Sequence, residues 1–181
     1  MKSLSSFMTA GICGGAMLLS VNAHAANSTI ETSGDVGMVL VPAMAWGLSQ
    51  WKDDSEGQQQ FYWSMGSTLL TTGLLKYTIH ERRPDGDGND SFPSAHTSLT
   101  FSAATYIQQR YGWKTALPFY AAASYVGWSR VHSDRHYTKD VLAGALIGYL
   151  NARYFTEPYH GVQISAYAAG DSVGLNLNMA F

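Results

Sequence analysis

The stretch from Ser129 to Asp140 holds residues whose types and spacing could carry out chemistry. It reads Ser-Arg-Val-His-Ser-Asp-Arg-His-Tyr-Thr-Lys-Asp and lies between apolar segments. His136 and Asp140 are four residues apart, a spacing that places two side chains on one face of a helix. A carboxylate that holds one imidazole nitrogen leaves the other nitrogen available as a base or nucleophile. Arg130 adds a planar guanidinium suited to a tetrahedral oxyanion. Taken alone, the stretch fits a capped helix start with a solvated charge cluster equally well.

Two shorter segments offer further anion-binding groups. Lys76 lies late in a predicted helix, and Arg83-Pro84 follows after six residues, so the two cations could converge on one anion. This pair alone is weak evidence, because the helix dipole favours basic residues at a helix C-terminus in any case. The segment Pro93-Ser94-Ala95-His96 reads as a helix start, where backbone N–H groups form a ready anion site. His96 would lie in the first turn, beside that site.

Together and in this order, the three segments resemble the type 2 phosphatidic acid phosphatase family, which belongs with the bacterial class A acid phosphatases and the vanadium haloperoxidases. The family signature is K-x6-RP, then PSGH, then SR-x5-H-x3-D, and the chain matches its spacing and order between Lys76 and Gly148. Ala95 departs from the pattern, because the family usually has glycine there. Alanine can supply the same backbone N–H if its φ is negative, so we expect a preserved site with slightly less room.

The resemblance implies how a phosphoryl group would be held. Lys76, Arg83 and Arg130 would surround the group and neutralise its oxygens. The Ser94 hydroxyl and the Ala95 N–H would add neutral hydrogen bonds. Neither a metal nor a cofactor is implied, because three fixed cations supply the charge stabilisation that phosphoryl transfer needs.

The resemblance also implies a catalytic role for three residues. His136 would attack phosphorus and form a phosphohistidine, and Asp140 would orient its imidazole. His96 would give a proton to the leaving oxygen and then take one from the water that cleaves the intermediate.

Composition narrows the class of protein. The chain has 181 residues, which suits one domain, and 46% are hydrophobic while 13% are charged, against about 25% in an average soluble protein. The 11 tyrosines and 5 tryptophans favour interfaces. A net charge of −2 gives no basic surface for nucleic acid. The mean hydropathy of −0.09 is too polar for a bundle whose helices all face lipid.

The N-terminus resembles an export signal. Lys2 precedes the apolar stretch 7–21, and Ala23-His24-Ala25 fits a small-x-small cleavage site. We expect residues 1–25 to be a signal peptide and residues 26–181 to form one exported, periplasmic phosphatase domain. The alternative is an N-terminal membrane anchor. Cys13 is the sole cysteine and would leave with the signal, so the mature domain would contain no disulfide.

Hydrophobic periodicity predicts a mainly α fold, a bundle of about five to six helices. Residues 27–35 read as a loose polar lead. Two readings of residues 159–181 stay open: a tail laid against the bundle, or a β-hairpin formed by two runs that alternate with period two. Gly144 and Gly148 predict a close helix–helix approach. The helix at 58–80 fits both a buried and a membrane-touching position. Helices are expected at residues 36–51, 58–80, 94–111, 115–129 and 139–154.

Residues 85–90 form an acidic, glycine-rich loop. Its alternating acids loosely resemble a calcium loop, but the glutamate at the twelfth position of an EF-hand is absent and a histidine stands there. The favoured interpretation is a flexible polar lid that binds no metal.

We therefore expect a metal-independent phosphatase for phosphomonoesters or pyrophosphates, with a phosphohistidine intermediate. The low charge, the aromatic residues and the export signal favour lipid-linked substrates and contact with a membrane face. Three alternatives stay open at this point: a soluble periplasmic non-specific acid phosphatase, a vanadate-dependent haloperoxidase, and a non-catalytic phospholipid-binding envelope protein.

Overall fold

Five helices and one β-hairpin make up the described part of the chain. The structure, a computed structural model, describes residues 8–159, 162–169 and 172–179, with side chains for residues 28–159. The predicted signal peptide lies outside the residues whose side chains are described, and its cleavage stays a prediction. The expected mainly α bundle is confirmed. The elements are α1 (Met8–Trp51), α2 (Ser55–Thr78), α3 (Ala95–Tyr111), α4 (Trp113–His132), α5 (Thr138–Phe155), β1 (Val162–Ala169) and β2 (Ser172–Met179).

Helix α1 extends through the segment that the sequence predicts as a loose lead. Residues 27–35 are helical, so this expectation is wrong. The reason is tertiary packing, which outweighs weak local propensity. Gly34 and Gly37 face α4, where a Cβ on Gly37 would lie 2.6 Å from Cγ2 of Val126. The absence of side chains at these two positions lets α1 approach α4 closely.

Local signals fix the helix ends. Asp54 caps α2 by accepting a hydrogen bond from the backbone N–H of Gly57 at 2.9 Å. Gly112 separates α3 from α4 with a φ of 86°, a conformation that favours glycine. Ser94 occupies the N-cap position of α3, as its sequence context predicts, although its side chain makes no capping hydrogen bond.

Helix α3 is the centre of the bundle and packs against each of the other four helices. Its buried face consists largely of small and hydroxyl-bearing residues. Thr68 of α2 donates a hydrogen bond to Ser102 of α3 at 3.1 Å, and Thr72 donates to Ser98 at 3.0 Å. These bonds satisfy buried hydroxyls while the small side chains keep the helices close.

The tightest approach joins α3 to α5. A Cβ on Gly144 would lie 2.5 Å from the carbonyl oxygen of Ser94, and a Cβ on Gly148 would overlap the carbonyl oxygen of Ser98. The predicted close approach at these two glycines is confirmed. It sets the N-terminus of α3 beside the N-terminus of α5.

A buried ion pair closes the opposite end of the bundle. Arg110, near the end of α3, donates two hydrogen bonds to Asp54, at 2.7 and 2.6 Å. The Arg110 carbonyl accepts a bond from the Tyr159 N–H at 2.9 Å, which ties down the segment leading to the hairpin. Strands β1 and β2 then pair antiparallel, with Val162 opposite Met179, so the structure shows the hairpin alternative for this segment.

Much of the bundle surface is apolar. Helix α2 buries Phe61 and exposes Trp63, Leu70 and Leu74, so it is partly core and partly apolar surface. Among the described helices, none combines the length and apolar character needed to cross a bilayer. Exposed apolar residues on the other helices include Val36, Val39, Leu40, Met44, Leu117, Trp128, Leu142, Leu146 and Leu150.

The α3–α5 contact makes a stability prediction. We expect Gly148→Ala to lower the free energy of unfolding by about 1–3 kcal/mol, because the new methyl group meets backbone and cannot be accommodated by a rotamer change. Gly73→Ala in α2 is the matched control, because a Cβ there meets nothing within 4 Å and alanine favours the helix by up to about 1 kcal/mol. Thermal unfolding followed by circular dichroism measures both variants. A melting temperature of Gly148→Ala equal to that of the wild type would contradict the packing role of Gly148.

Candidate active site

His136 and Asp140 meet at the start of α5. His136 lies just before the N-cap residue Tyr137, and Asp140 is in the first turn of the helix. His136 is therefore outside the helix, as the predicted range 139–154 implies, and the pair forms across the helix start: Nδ1 of His136 is 3.7 Å from Oδ2 of Asp140. Asp140 is fully buried rather than solvated, and its Oδ2 accepts hydrogen bonds from the Tyr137 N–H at 2.9 Å and the Ser91 hydroxyl at 2.5 Å. These bonds fix the carboxylate.

The imidazole of His136 is neutral and poised beside that carboxylate. Among the described residues, neither His136 Nδ1 nor Asp140 Oδ1 has a hydrogen-bond partner. At 3.7 Å from Oδ2, Nδ1 faces the carboxylate beyond hydrogen-bond distance, and catalytic hydrogen bonds often tighten only when substrate is bound. Burial, followed by the charges of Lys76 and Arg83, lowers the pKa of His136 to about 3. The ring is therefore uncharged at neutral pH, although a backbone hydrogen bond with Ser91 acts on its pKa in the opposite direction.

Lys76 and Arg83 converge on one carboxylate, that of Asp90. Arg83 donates from Nε and an η nitrogen to the two carboxylate oxygens, at 3.0 and 3.1 Å. Lys76, in the last turn of α2, donates to the Asp90 backbone carbonyl and lies 3.9 Å from its Oδ2. The hydrogen bond from Arg83 holds the pKa of Asp90 below its usual range. The two cations predicted to share an anion do share one.

Arg130, in the last turn of α4, is buried against α1. It donates to Asp35 Oδ1 at 2.7 Å, to the Glu31 backbone carbonyl, and from Nε to the Ser129 hydroxyl at 3.2 Å. Gly34 makes room for this arrangement, because a Cβ there would overlap the Arg130 guanidinium. The guanidinium is held by protein groups on several sides, so a phosphoryl oxygen would have to replace one of them.

His96 shares the same α1 carboxylate. Its Nε2 is 2.8 Å from Asp35 Oδ1, the oxygen that also accepts from Arg130. Burial, followed by the charge of Arg130, lowers the pKa of His96, while Asp35 acts in the opposite direction. His96 also contributes to the lowered pKa of His136, so the two rings belong to one site.

The N-terminus of α3 supplies the remaining predicted groups. Ser94 is buried, its hydroxyl accepts a bond from Thr97 Oγ1 at 3.1 Å, and its N–H donates to the Asp140 carbonyl at 3.0 Å. Ala95 is the first residue of α3 and is not among the residues with positive φ. The φ of Ala95 is therefore negative, which is the condition under which alanine can supply the same backbone N–H as glycine.

Carboxylates of the acidic loop accept hydrogen bonds from two arginines, one of which is the predicted site residue Arg83. Asp90 holds Arg83, and Asp85 accepts a hydrogen bond from Arg135 at 2.9 Å. Within the described ranges, no three or more histidine, cysteine or acidic side chains are grouped as a metal site would need. Acids of the loop that loosely resembles a calcium loop thus form ion pairs with arginines.

Sequence reasoning identified the motif residues but missed three of their partners. Asp35 lies in a segment predicted to be irregular, and only a helical prediction there would have placed Glu31 and Asp35 on one face. Ser91 carries no motif signal. Asp90 lies in the acidic loop, and nothing in the sequence connects it to Lys76 and Arg83.

Comparison with known proteins finds relatives that are named as phosphatases. Lipid A 1-phosphatase of Porphyromonas gingivalis is 40% identical over 78 residues, which cover 41% of this chain and 18% of that protein. Lipid A 4'-phosphatase of Helicobacter pylori is 40% identical over 106 residues, covering 51% of this chain and 54% of that protein. Lipid phosphate phosphatase 1 of Arabidopsis thaliana is 35% identical over 101 residues, which cover 45% of this chain and 31% of that protein. The chain thus aligns with about half or less of each relative's length.

A solved structure and a family model complete the comparison. The crystal structure of Aquifex aeolicus LpxE superimposes with a TM-score of 0.61 over 71% of this chain and 84% of that chain, at 20% sequence identity, which shows a shared helical fold. The model of the PAP2 superfamily matches residues 59–160, more than half of the 181 residues. On this match, the chain belongs to the PAP2 superfamily.

Proposed function

We propose that this protein is a metal-independent phosphatase that hydrolyses phosphomonoesters or pyrophosphates on lipid-linked substrates through a phosphohistidine. The observation that carries the proposal is the neutral, buried imidazole of His136 between the Asp140 carboxylate and the Lys76–Arg83 pair. A non-catalytic phosphate-binding protein would not need a neutral imidazole with a carboxylate behind it.

The first half-reaction transfers the phosphoryl group to the protein. The Nε2 lone pair of His136 attacks phosphorus, and Asp140 stabilises the positive charge that develops on the ring. The N–P bond forms as the bond from phosphorus to the leaving oxygen breaks. His96 in its protonated form gives a proton to that oxygen, so the product leaves as a neutral hydroxyl group or a protonated phosphate.

The second half-reaction returns the protein to its starting state. The neutral His96 takes a proton from a water molecule as the water oxygen attacks phosphorus. The N–P bond breaks, its electron pair returns to His136, and inorganic phosphate is released. His96 is again protonated, so protons and charge balance over the cycle.

The cations stabilise the transferring group by exchanging partners. Lys76 and Arg83 would move their hydrogen bonds from Asp90 to phosphoryl oxygens, and Arg130 would contribute its charge from α4. The Ala95 N–H at the start of α3 and the Ser94 hydroxyl add neutral donors. Charge stabilisation of this kind is the main requirement of phosphoryl transfer.

A lipid-linked substrate agrees with the surface around the site. Tyr77, next to Lys76, is 80% exposed, and Tyr137, next to His136, is 41% exposed. Leu142, two residues after Asp140, is also exposed. Exposed apolar groups next to a polar site suit an amphiphilic molecule whose phosphate enters the pocket and whose chains stay outside. Relatives whose names specify lipid A and lipid phosphates support this class. The predicted signal peptide would place the activity in the periplasm, at a membrane face.

We expect His136→Ala to lower phosphate release by about a thousandfold or more in a folded protein, because no other group replaces the nucleophile. His132→Ala is the matched control, since His132 stacks on Trp128 at the end of α4 and occupies an unspecified position of the motif. Release of inorganic phosphate from 4-nitrophenyl phosphate measures both variants. Comparable release by His136→Ala and the wild type would overturn the nucleophile assignment.

Substrate class and metal independence are tested with the same readout. We expect phosphatidate or lipid A in mixed micelles to be hydrolysed with a kcat/KM at least about tenfold above that of small soluble phosphomonoesters, because apolar contacts add binding energy. Higher kcat/KM on the soluble esters would instead identify a non-specific acid phosphatase. EDTA should leave the rate unchanged, and a loss of activity on chelation would contradict the metal-independent mechanism.

The pH dependence follows from the two imidazoles. Catalysis needs His136 neutral and His96 protonated, so we expect a bell-shaped profile of kcat/KM. The pKa of about 3 for His136 sets the acid limb, and the pKa of His96, lowered from 6.5, sets the alkaline limb below 6.5. The optimum therefore lies on the acid side of neutrality, and activity that keeps rising above pH 7 would contradict the acid role of His96.

Stability must be followed in the same experiment. Unfolded His136 binds a proton near pH 6.5, whereas the folded protein binds it only near pH 3. The unfolded state thus holds more protons in this window, so the free energy of unfolding falls as the pH falls from 6.5 to 3. A parallel unfolding curve separates this loss from the acid limb of catalysis.

The exchange of Asp90 for phosphate makes another prediction. We expect Asp90→Asn to lower the inhibition constant of vanadate by about two- to fivefold, because it removes a carboxylate that competes for Lys76 and Arg83. Asp87→Asn is the control, since Asp87 is 87% exposed and has no direct contact with either cation. Weaker inhibition of Asp90→Asn would show that Asp90 is needed to position the cations.

A further inference from the structure

The site contains a second carboxylate–imidazole pair besides Asp140 and His136. Asp35 of α1 lies 2.8 Å from His96, a contact closer than the 3.7 Å between Asp140 and His136. Asp35 stands outside the three sequence motifs, on a helix that precedes them in the chain. Resting on the proposed phosphatase function, we infer that Asp35 is a positioning residue that fixes His96 with a proton on Nε2, so that Nδ1 exchanges protons with the leaving group and with water.

The hydrogen-bond geometry determines which nitrogen is held. Oδ1 of Asp35 accepts from an η nitrogen of Arg130 at 2.7 Å and faces Nε2 of His96 at 2.8 Å. An oxygen that already accepts from a guanidinium acts as an acceptor toward the imidazole too, so Nε2 carries the hydrogen. The arrangement is opposite to that of His136, whose Nδ1 faces its carboxylate and whose Nε2 does the chemistry.

The fold holds Asp35 in this position. Gly34 allows α1 to approach Ser129 and Arg130 more closely than a residue with a Cβ would. The Glu31 carbonyl, one turn earlier on α1, accepts a second hydrogen bond from Arg130. The Arg130 guanidinium therefore bonds both the Asp35 side chain and the backbone of the helix that carries it. This double attachment limits the movement of Asp35 relative to His96.

The charges around His96 explain why a carboxylate is useful there. Arg130 of α4 and Arg83 of the loop between α2 and α3 both disfavour the protonated ring, as does burial. His136, on the segment before α5, is neutral. Asp35 is the carboxylate that opposes these effects and raises the pKa of His96. Its removal should therefore lower the proton affinity of the general acid as well as free its ring.

The proton balance is unchanged by this role. In phosphoryl transfer, Nδ1–H of the imidazolium gives its proton to the leaving oxygen, while Nε2–H stays on Asp35. The resulting neutral ring has its lone pair on Nδ1, where it accepts a proton from the attacking water. Each half-reaction uses the same nitrogen, and Asp35 exchanges no proton.

Leaving groups of different basicity test the inference. We expect Asp35→Ala to lower kcat/KM by about 100-fold on an alkyl phosphate, whose alkoxide needs a proton to leave, but by less than about fivefold on 4-nitrophenyl phosphate, whose nitrophenolate leaves unprotonated. Asp35→Asn keeps an acceptor oxygen for Nε2 and should recover part of the loss on the alkyl phosphate. Its alkaline limb should still move to lower pH, because the charge is gone.

Glu31→Gln is the matched control on α1. Its side chain pairs with Arg135 rather than with His96, so the ratio of activities on the two substrates should stay at the wild-type value. Equal losses on both substrates in the Asp35 variants would overturn the inference and assign Asp35 to the support of Arg130. Full activity on both, or tighter vanadate binding without the leaving-group effect, would overturn it as well.

A readout without catalysis separates this inference from the proposed function. The ¹⁵N chemical shifts of His96 should show the Nε2–H tautomer at pH values above its pKa in the wild type and a mixture of tautomers in Asp35→Ala. If the wild type hydrolyses neither phosphate but the tautomers of the wild type and Asp35→Ala differ in this way, the phosphatase proposal fails and Asp35 is still the group that orients His96. A Nδ1–H tautomer in the wild type would overturn the inference whatever the activity.

Discussion

The contact between α3 and α5 is the constraint on which the site depends. Gly144 and Gly148 have no side chains, so the backbone of α3 packs directly on α5, and the Ser94 N–H reaches the Asp140 carbonyl at 3.0 Å. Two helix N-termini thus lie side by side, one beginning with the predicted phosphate-binding groups and the other carrying Asp140. Their partial positive charges favour an anion between them. Two glycines well inside a helix therefore have a functional consequence at its start.

Paired charges are the second general feature of the site. Each predicted phosphate-binding cation already has a carboxylate partner: Asp90 for Lys76 and Arg83, and Asp35 for Arg130. A half-buried or buried cation without such a partner would cost stability. The same partners oppose non-specific anions, because an incoming group must bind better than a carboxylate does. A phosphoryl group in the transition state carries more negative charge than a carboxylate does, and the cations can surround its oxygens.

The sequence predicted the helices and the motif residues well, for identifiable reasons. Residue types at fixed spacing identified His96, His136 and Asp140, and glycines four apart identified the close helix pair. The helical state of residues 27–35 was not predictable from this segment alone, because its stability comes from α4 through Gly34 and Gly37. The partners on α1 are not predictable for the same reason, because they depend on contacts between residues about a hundred positions apart, as in the bond from Arg130 to Glu31. Asp90 is only 7 positions from Arg83 and 14 from Lys76, but its loop has no helix or strand periodicity that would predict the pairing.

The proposed mechanism requires that His136 becomes covalently phosphorylated during turnover. The most direct measurement is rapid acid-free quenching of the protein during turnover of ³²P-labelled substrate, followed by peptide mapping. The proposed chemistry predicts a phosphoramidate on the peptide that contains His136, stable to base and labile to acid, which forms as fast as the first product leaves. Steady turnover with no phosphorylated protein, or with the label on another residue, would contradict it.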